Sequence, residues 1–571
     1  MKPRVLTGRW SVGALVIGLI VGACTPAASP SSPAASQPTG SAAAPSESGP
    51  AASVATGQGG TLSIAWNSDI QYFDPAKGYD VVSWPAERLI YEQLLGYDTG
   101  TKLQPLLADG MPTVSADGKA YTVKIHSGVK FVKPDGSVLR EMNADDVVAS
   151  FNRVLDPKLK PSASPVSSAF FGNIVGANDV IGGKAETASG IKKIDDLTVE
   201  FDLVTADATF LNILATPFAS IVPKETVHDS AEVAKSPIGT GPYVLKDYTK
   251  GTQATFVANK NYWQTGQPYL DEIDFKVGVD DNAAIQQIEA DQLDMMGDPL
   301  PAGSFTQITT DPKYKDQLVT HTLVDTDYLF MDTQQPNNGP LSKPAVRQAL
   351  EYAIDKDNIL KLVHGAGVKA DCIFPPDMPG FDANCHPYTF DQAKAKQMLA
   401  DAGYPNGFES HLYTDTTDPD PSIAQALQQD LAAVGVKVDI TTEEFATFLD
   451  RIETPHKAPL GWVGWFQDYP DPSDFIDPIL SCASAVQGGA NAALYCNKDV
   501  DALAKAARGE TDNAKRLQEY QQIQTMIMAD APWVPVRHQV WFTLVSTRVA
   551  NFQIHPVWQY DLRNVQLKPG S

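Results

Sequence analysis

Two periods of apolar and polar residues alternate along most of the chain. Apolar residues at every second position predict β-strands, and apolar residues three to four positions apart predict amphipathic helices. The strand pattern is found in TLSIAW (61–66), YTVKIH (121–126), LTVEFDLV (197–204) and KVDITTEE (437–444). The helical pattern is found in AERLIYEQLL (86–95), ADDVVASFNRVL (144–155), AVRQALEYAI (345–354), DQAKAKQMLADAG (391–403) and IAQALQQDLAAVG (423–435). Strands interleaved with helices predict an α/β fold.

Helix ends are also marked in the sequence. Asn143 precedes the helix at 144–155 and is expected to cap it, with Asp145 and Asp146 in the first turn where the helix dipole favours acids. Gly403 and Gly435 follow two other predicted helices, at positions where C-terminal caps are commonly glycine.

The N-terminus has the composition of an export signal. Three basic residues fall within the first nine, and an apolar run follows at 12–21 that is too short to span a bilayer. The run ends in VGAC (21–24), which is similar to a bacterial lipoprotein processing site, so residues 1–23 are the predicted signal and Cys24 the predicted lipidated residue. Cleavage of an ordinary signal with Cys24 incidental is the alternative.

A tether is predicted at 24–59. The segment consists almost entirely of Ala, Ser, Pro, Gly and Thr, with Glu47 as its only charged residue, so it cannot form an apolar face. As a flexible coil of about 36 residues, its ends would lie on the order of 30 Å apart. We expect this segment to connect a lipid anchor to a folded body.

Charge limits the partners. The 571-residue chain has 44 basic and 68 acidic residues, a net charge of −24. Loss of the signal would remove three basic residues and leave 41 − 68 = −27. Such a surface repels nucleic acid, which proteins bind through Lys and Arg, so we exclude a nucleic-acid partner.

The length predicts about three compact units.

The remaining cysteines form two close pairs, Cys372 with Cys385 and Cys482 with Cys496. Both spacers are rich in turn-forming residues, and an exported protein meets an oxidising compartment, so two local disulfides are predicted. A zinc site is the alternative, but neither pair has the C-x-x-C spacing and no histidine cluster accompanies them.

Catalytic motifs are not found. The sequence has no G-x-S-x-G, no H-E-x-x-H and no P-loop, because Gly182-Gly183-Lys184 is followed by Ala, which cannot ligate magnesium. The nine histidines are scattered, and His364, His386 and His538 are interpreted as surface or packing residues. We therefore expect no enzyme activity, no cofactor and no metal, although a hydrolase without a known motif stays an alternative.

Four segments, in order, resemble one family. They are NADDVVASFNRVLDP (143–157), SPIGTGPYVLKDYTKGTQATFVANKNYW (236–263), VRQALEYAIDKDNIL (346–360) and GWFQDYPDPSDF (464–475). They are similar to segments of the extracytoplasmic solute-binding proteins of family 5, which serve ABC importers of peptides, nickel and some sugars. The resemblance extends from about residue 60 to the C-terminus.

The resemblance implies a two-lobed periplasmic-binding-protein-like fold (type II) with an extra domain on the first lobe. Carried onto this chain, the first lobe would combine 60–90, 236–326 and 535–571. The extra domain would be 91–235, and the second lobe 327–534. Closure of the two lobes around a solute would be a hinge motion.

The resemblance also implies a ligand site in the last of the four segments. In peptide-binding members, the backbone of a Gly-Trp-x run pairs with the ligand like an added strand, and an Asp two residues beyond meets its terminal ammonium. The corresponding residues are Gly464, Trp465, Phe466 and Asp468. Core packing is the alternative role for Trp465, and Asp471 and Asp474 are expected to be turn or rim residues.

One loop departs from the pattern of dipeptide-selective relatives, which hold the ligand carboxylate with an arginine. The corresponding loop LYTDTTDPDPS (412–422) has no Arg and carries Asp415, Asp418 and Asp420. A strict dipeptide site is therefore disfavoured, and longer or cationic peptides are favoured, unless these acids face solvent.

The function implied is that of a lipid-anchored substrate-binding protein on the extracytoplasmic face of the membrane. It would capture oligopeptides as a monomer and deliver them to ABC permease subunits. The alternatives are the same role for a nickel chelate, an oligosaccharide or another cationic small molecule, and an enzyme or surface chaperone on the same scaffold.

Overall fold

The computed structural model of the chain describes residues 59–454 and 457–569. In chain order the strands are β1 (Thr61–Trp66), β2 (Leu95–Tyr97), β3 (Leu103–Pro105), β4 (Thr113–Val114), β5 (Ala120–Lys124), β6 (Lys130–Val132), β7 (Val138–Glu141), β8 (Ile191–Asp195), β9 (Thr198–Asp202), β10 (Tyr243–Thr249), β11 (Gln253–Ala258), β12 (Glu272–Val277), β13 (Met295–Met296), β14 (Leu318–Thr322), β15 (Asp325–Met331), β16 (Gly367–Lys369), β17 (Phe408–Asp415), β18 (Val436–Glu443), β19 (Leu460–Phe466), β20 (Trp533–Leu544), β21 (Val549–Ala550) and β22 (Gln566–Leu567). The α-helices are α1 (Ser83–Ile90), α2 (Ala144–Leu155), α3 (Ser167–Phe171), α4 (Ala177–Ile181), α5 (Phe210–Ile213), α6 (Ser230–Lys235), α7 (Asp281–Glu289), α8 (Ala302–Thr310), α9 (Pro344–Ala353), α10 (Lys356–Leu362), α11 (Gln392–Asp401), α12 (Asp420–Ala433), α13 (Phe445–Glu453), α14 (Ser473–Ile476), α15 (Lys498–Gly509) and α16 (Asn513–Asp530).

The first large sheet has the strand order β10-β11-β12-β1-β13. Strand β1 lies between β12 and β13 and runs parallel to both, whereas β11 runs antiparallel to its neighbours β10 and β12. Leu62, Ile64 and Trp66 alternate along β1 and pack into one core, while Ala65 packs into a second core on the opposite face. The sheet is therefore covered on both faces.

The second large sheet has the order β14-β20-β15-β19-β17-β18, and β16 also pairs with β20. Leu329 and Met331 of β15 pack into one core, and Tyr328 and Phe330 into another, so this strand separates two hydrophobic layers. Every residue of β15 is buried. Parallel pairing of β17 with β18 and β19 brings the carboxyl ends of these three strands to the same edge.

Strand β20 extends through both halves of the second sheet. Its first residues pair with β15, and Val540–Leu544 pair with β14. The predicted domain boundaries at 326/327 and 534/535 therefore fall inside β15 and β20, two strands that lie side by side. The division of the chain into lobes stays a prediction.

A smaller antiparallel sheet, β4-β5-β9-β8, lies within the segment predicted to form the extra domain. Val123 and Phe201 from its central strands share a core with Phe151 of α2. The predicted cap of α2 is confirmed: the Asn143 side chain accepts a hydrogen bond from the N–H of Asp145. In return, Oδ2 of Asp146 accepts a hydrogen bond from the N–H of Asn143 at 2.9 Å, so the side chains at both ends of the first turn satisfy backbone donors at the start of the helix.

The helix predicted at 86–95 is wrong at both ends. α1 begins at Ser83 and ends at Ile90, and Tyr91 is extended, with φ −118° and ψ 159°. The reason is tertiary, because Tyr91 packs into the core of the first large sheet whereas Leu94 and Leu95 belong to the core that contains α2. The chain must leave the helix to reach the second core.

Both predicted disulfides are present, Cys372–Cys385 and Cys482–Cys496. The predicted signal at 1–23, Cys24 and all but the last residue of the predicted tether lie outside the described residues. No helix in the described ranges has the length and apolar character needed to cross a membrane.

Candidate functional site

Strand β19 has a neighbour along its full length on one side only. That neighbour is β15, which pairs antiparallel with all of β19. On the other side, β17 pairs only with Leu460 and Gly461. From Trp462 to Phe466, no strand of the described residues pairs with this second edge. The predicted Gly-Trp-Phe run therefore lies on an open sheet edge.

The backbone groups that point to the open edge follow from the register. In an antiparallel pair, alternate residues direct both N–H and C=O to the same neighbouring strand. The N–H of Gln467, just beyond β19, donates to the carbonyl of Val324 at 3.2 Å, so the odd-numbered residues of β19 face β15. Trp462, Gly464 and Phe466 therefore turn their N–H and C=O groups to the open edge.

Glycine at 464 is required by an ion pair beneath it. A Cβ atom on Gly464 would lie 2.2 Å from Oδ1 of Asp327, which is buried in β15. Oδ2 of Asp327 accepts a hydrogen bond from Nε of buried Arg537 at 2.5 Å. The space that a side chain would need is already occupied by this carboxylate.

Asp468 lies two residues beyond the end of β19 and is half-buried. Its Oδ1 accepts a hydrogen bond from the Tyr79 hydroxyl at 2.6 Å, and its backbone N–H donates to Oδ2 of Asp474 at 3.0 Å. No Lys or Arg of the described ranges forms an ion pair with it. Burial raises the pKa of Asp468 to about 6, since removal from water disfavours the charged form.

Of the two roles expected for Asp471 and Asp474, turn or rim, the rim is wrong, because both residues are buried. Asp471 accepts two hydrogen bonds from the guanidinium of Arg516, at 2.6 and 2.8 Å, and one from the N–H of Ser473. Burial and the neighbouring Asp468 raise the pKa of Asp474 well above its usual value. These two aspartates hold the loop rather than border a solvent-filled space.

Trp465 is half-buried and packs against the core that contains Phe448 and Phe475. Its indole Nε1 donates to Oδ2 of Asp474 at 3.3 Å. Because the residue is on the opposite face from Gly464, its side chain supports the loop that carries Asp468. Its predicted contact with a ligand stays a prediction.

The acidic loop follows β17 and leads into α12. Asp415 is buried and accepts from the N–H of Thr417 at 2.6 Å, Asp418 is exposed, and Asp420 accepts from Nε1 of Trp462 at 3.0 Å. Burial, followed by the charge of Asp327, raises the pKa of Asp420 to about 7. None of the three acids has a basic partner within ion-pairing distance among the described residues.

The histidines do not form a site in the described part of the chain. His538 is buried and its pKa is lowered to about 4 by burial, while His364 and His386 are exposed. His386 lies 2.6 Å from a carboxylate oxygen of Asp371. Over the described ranges, no group of three or more His, Cys, Asp and Glu side chains is arranged to hold a metal ion.

Tyr79 is the site residue that sequence reasoning missed. It lies between β1 and α1, 389 positions before Asp468, and no local motif marks it. The two residues meet only because the loop after β19 folds against the segment before α1.

The chain thus combines a mixed α/β fold with an open strand edge and, beside that edge, a carboxylate that has no basic partner among the described residues. Residues 102–487 match the family described as bacterial extracellular solute-binding proteins, family 5 Middle. The chain belongs to this family.

Curated relatives cover most of the chain. Heme-binding protein A of Haemophilus influenzae is 33% identical over 509 residues, which cover 86% of this chain and 89% of that protein. The dipeptide-binding protein of Escherichia coli K12 is 32% identical over 513 residues, covering 87% and 92%. Among solved structures, the periplasmic binding protein DppA of Helicobacter pylori in complex with the peptide STSA is 26% identical, with a TM-score of 0.71 over 90% of this chain and 98% of that one.

Proposed function

We propose that this protein is a lipid-anchored substrate-binding protein of an ABC importer that captures oligopeptides and delivers them to the permease. The observation that carries the proposal is the open edge of β19, which ends beside a carboxylate without a basic partner among the described residues. An extended peptide satisfies both features at once, through main-chain hydrogen bonds along the strand and a terminal ammonium at its end.

The peptide backbone would pair with Gly464 and Phe466. Both turn N–H and C=O groups to the open edge, and a polar group left unpaired in a closed cleft is costly. Main-chain pairing does not depend on the ligand's side chains, so one site accepts many sequences.

The ligand ammonium would lie against Asp468. Among the described residues, the carboxylate accepts a hydrogen bond from Tyr79 alone, and its ionised form is disfavoured by burial until a cation approaches. An ammonium ion would restore that form, and the resulting charge-assisted hydrogen bonds are about twice as strong as neutral ones.

The other end of the ligand would approach the acidic loop. From Trp462 to Asp468 the open edge measures at most about 20 Å at 3.4 Å per residue, which is the length of about six extended residues. At its far end Asp420 accepts a hydrogen bond from Nε1 of Trp462, and Asp415 and Asp418 belong to the same loop. A ligand carboxylate beside this acidic loop would be repelled. We therefore propose short peptides that carry a basic side chain near the C-terminus.

Delivery would use the predicted lipid on Cys24 and the tether at 24–59, which would hold the monomer near the extracytoplasmic membrane surface. Closure of two lobes around the peptide, with the second lobe at 327–534, would present it to the permease. No catalytic step belongs to this role, because binding and release are sufficient.

The test is native mass spectrometry of the protein purified without the signal and tether, followed by sequencing of released ligand. A family of peptides with a free N-terminus and basic C-terminal residues supports the proposal. Titration calorimetry with Ala-Ala-Lys, Ala-Ala-Ala and Ala-Ala-Glu then measures the preference at the far end. Failure of all peptides to bind would refute the proposal.

A second candidate is the same role for a non-peptide solute. The relative named heme-binding protein A supports it, since a similar chain in Haemophilus influenzae carries a name with a different ligand. A single non-peptide mass released from the purified protein would favour this candidate over peptides.

A further inference from the structure

The hydrogen bond between Tyr79 and Asp468 connects two distant parts of the chain at the candidate ligand site. Tyr79 precedes α1, whose residues pack into the core of the first large sheet, while Asp468 follows β19 of the second. The donor and acceptor lie 2.6 Å apart. Tyr79 as a whole is 44% exposed.

The backbone around Tyr79 is held in place on both sides. The Lys77 ammonium donates to the carbonyls of Ser162 and Ala163 at 3.3 and 2.9 Å. Asp80 Oδ1 accepts from the N–H of Ser83 at 2.8 Å at the start of α1. The backbone on both sides of Tyr79 is therefore fixed by hydrogen bonds, which hold the hydroxyl close to Asp468.

The ring is also fixed by its neighbours. Trp84, Phe170 and Phe218 meet it edge to face, with ring centroids 6.0, 6.3 and 6.3 Å away. Replacing Tyr79 with phenylalanine keeps these contacts and removes the hydroxyl alone. The role of the hydroxyl can therefore be separated from the role of the ring.

We propose that Tyr79 is a positioning and specificity residue of the ammonium subsite, the place beside Asp468 where the ligand ammonium would bind. This proposal rests on the proposed peptide-binding function. Its hydroxyl holds Oδ1 of Asp468 and leaves Oδ2 for the ligand, so that a ligand offering a charged donor is selected. A free N-terminus completes the carboxylate's hydrogen bonds, whereas a blocked N-terminus cannot.

The titratable groups around Asp468 define how this works. Tyr79 faces it from the segment before α1 and Asp474 from α14; beyond Asp474, Asp471 is paired with Arg516. The Tyr79 hydrogen bond lowers the pKa of Asp468, against the larger effect of burial. Burial raises the pKa of the Tyr79 phenol, which therefore stays a donor. Without this donor, Asp468 would be protonated at a higher pH and would meet an ammonium less often as a carboxylate.

The experiment compares wild type with Tyr79→Phe by calorimetry, using Ala-Ala-Lys and its N-acetylated form between pH 5 and pH 8. We expect about tenfold weaker binding of the free peptide at pH 6, a smaller loss at pH 8, and an upward shift of the pH midpoint. The acetylated peptide should bind both proteins equally. Tyr262→Phe is the matched control, because Tyr262 also donates to a carboxylate, Glu92, at 2.7 Å but away from the site.

Three outcomes are distinguishable. An unchanged affinity and pH midpoint in Tyr79→Phe, with wild type binding the peptide, overturns the role of Tyr79. An equal loss for free and acetylated peptides also overturns it, because the hydroxyl would then act on folding or closure alone. If wild type binds no peptide, the proposed function itself has failed.

Discussion

Replacing Asp468 with asparagine removes the charge of the candidate ammonium subsite without changing its shape. The side-chain carbonyl of the asparagine can still accept the hydrogen bond from the Tyr79 hydroxyl, which in wild type lies 2.6 Å from Oδ1 of Asp468. The backbone N–H of residue 468 still donates to Asp474. The loop should therefore keep its conformation while the ligand loses its ionic partner.

The magnitude follows from the environment of the carboxylate. Asp468 is half-buried and has no basic partner in the described ranges, so the ligand ammonium would be its only cation. Hydrogen bonds to charged groups contribute about 1.5–3 kcal/mol, which corresponds to about 10- to 150-fold in Kd. Removal of repulsion between residue 468 and Asp474 should leave stability unchanged or raise it.

Calorimetric titration at pH 7.5 with Ala-Ala-Lys measures the loss, and the N-acetylated peptide is the reference. The difference between the two peptides should be large in wild type and close to zero in Asp468→Asn. A thermal melt of both proteins controls for unfolding. Equal affinity of wild type and variant for the free peptide would refute the assignment of Asp468 to the ammonium.

The remaining predictions concern pH, packing and the disulfides. The affinity for peptides with a free ammonium should fall as the pH drops through about 6, because Asp468 takes up a proton there. Over the same pH range Asp468 should add stability to the empty protein, since its pKa in the folded state exceeds that of an unfolded Asp. An affinity that does not change between pH 5 and pH 8 would contradict the first expectation. Gly464→Ala should weaken peptide binding at least tenfold, because the new Cβ would lie 2.2 Å from Asp327. Gly303→Ala is the control and should leave the affinity unchanged, because a Cβ there meets nothing within 4 Å. Equal calorimetric affinities for the two variants would contradict this prediction. Reduction of the two disulfides, which join residues 13 and 14 positions apart, should cost about 3 kcal/mol of unfolding free energy each, and an unchanged urea midpoint would show that the loops are held otherwise.

Part of this protein was predictable from local pattern. Alternation in 61–66 and 437–444 corresponds to β1 and β18, and Asn143 caps α2 as its side chain and position require. The pairing of neighbouring cysteines was predictable because both partners lie close in sequence. Each of these features depends on residues within about fifteen positions of one another.

The features of the candidate site that local pattern could not supply depend on long-range contacts. The sequence left Asp471 and Asp474 as turn or rim residues, but Arg516, 45 positions beyond Asp471, holds the first of them in the interior. Tyr79 meets Asp468 across 389 positions. Sequence spacing does not predict Arg516 as the partner of Asp471 or Tyr79 as the partner of Asp468, because both contacts depend on how the sheets pack.

The sequence by itself therefore determined the α/β class, the ends of α2 and the disulfide partners, and its family resemblance marked the run Gly464–Phe466 as a candidate ligand site. Only the tertiary structure decided that this strand has an open edge, because an edge exists by virtue of where β17 stops pairing. It also decided that the backbone of Gly464 points to that edge, since register between strands is a property of two segments and not of either alone. A single chain segment encodes its own periodicity, but its neighbours decide which of its groups stay unpaired.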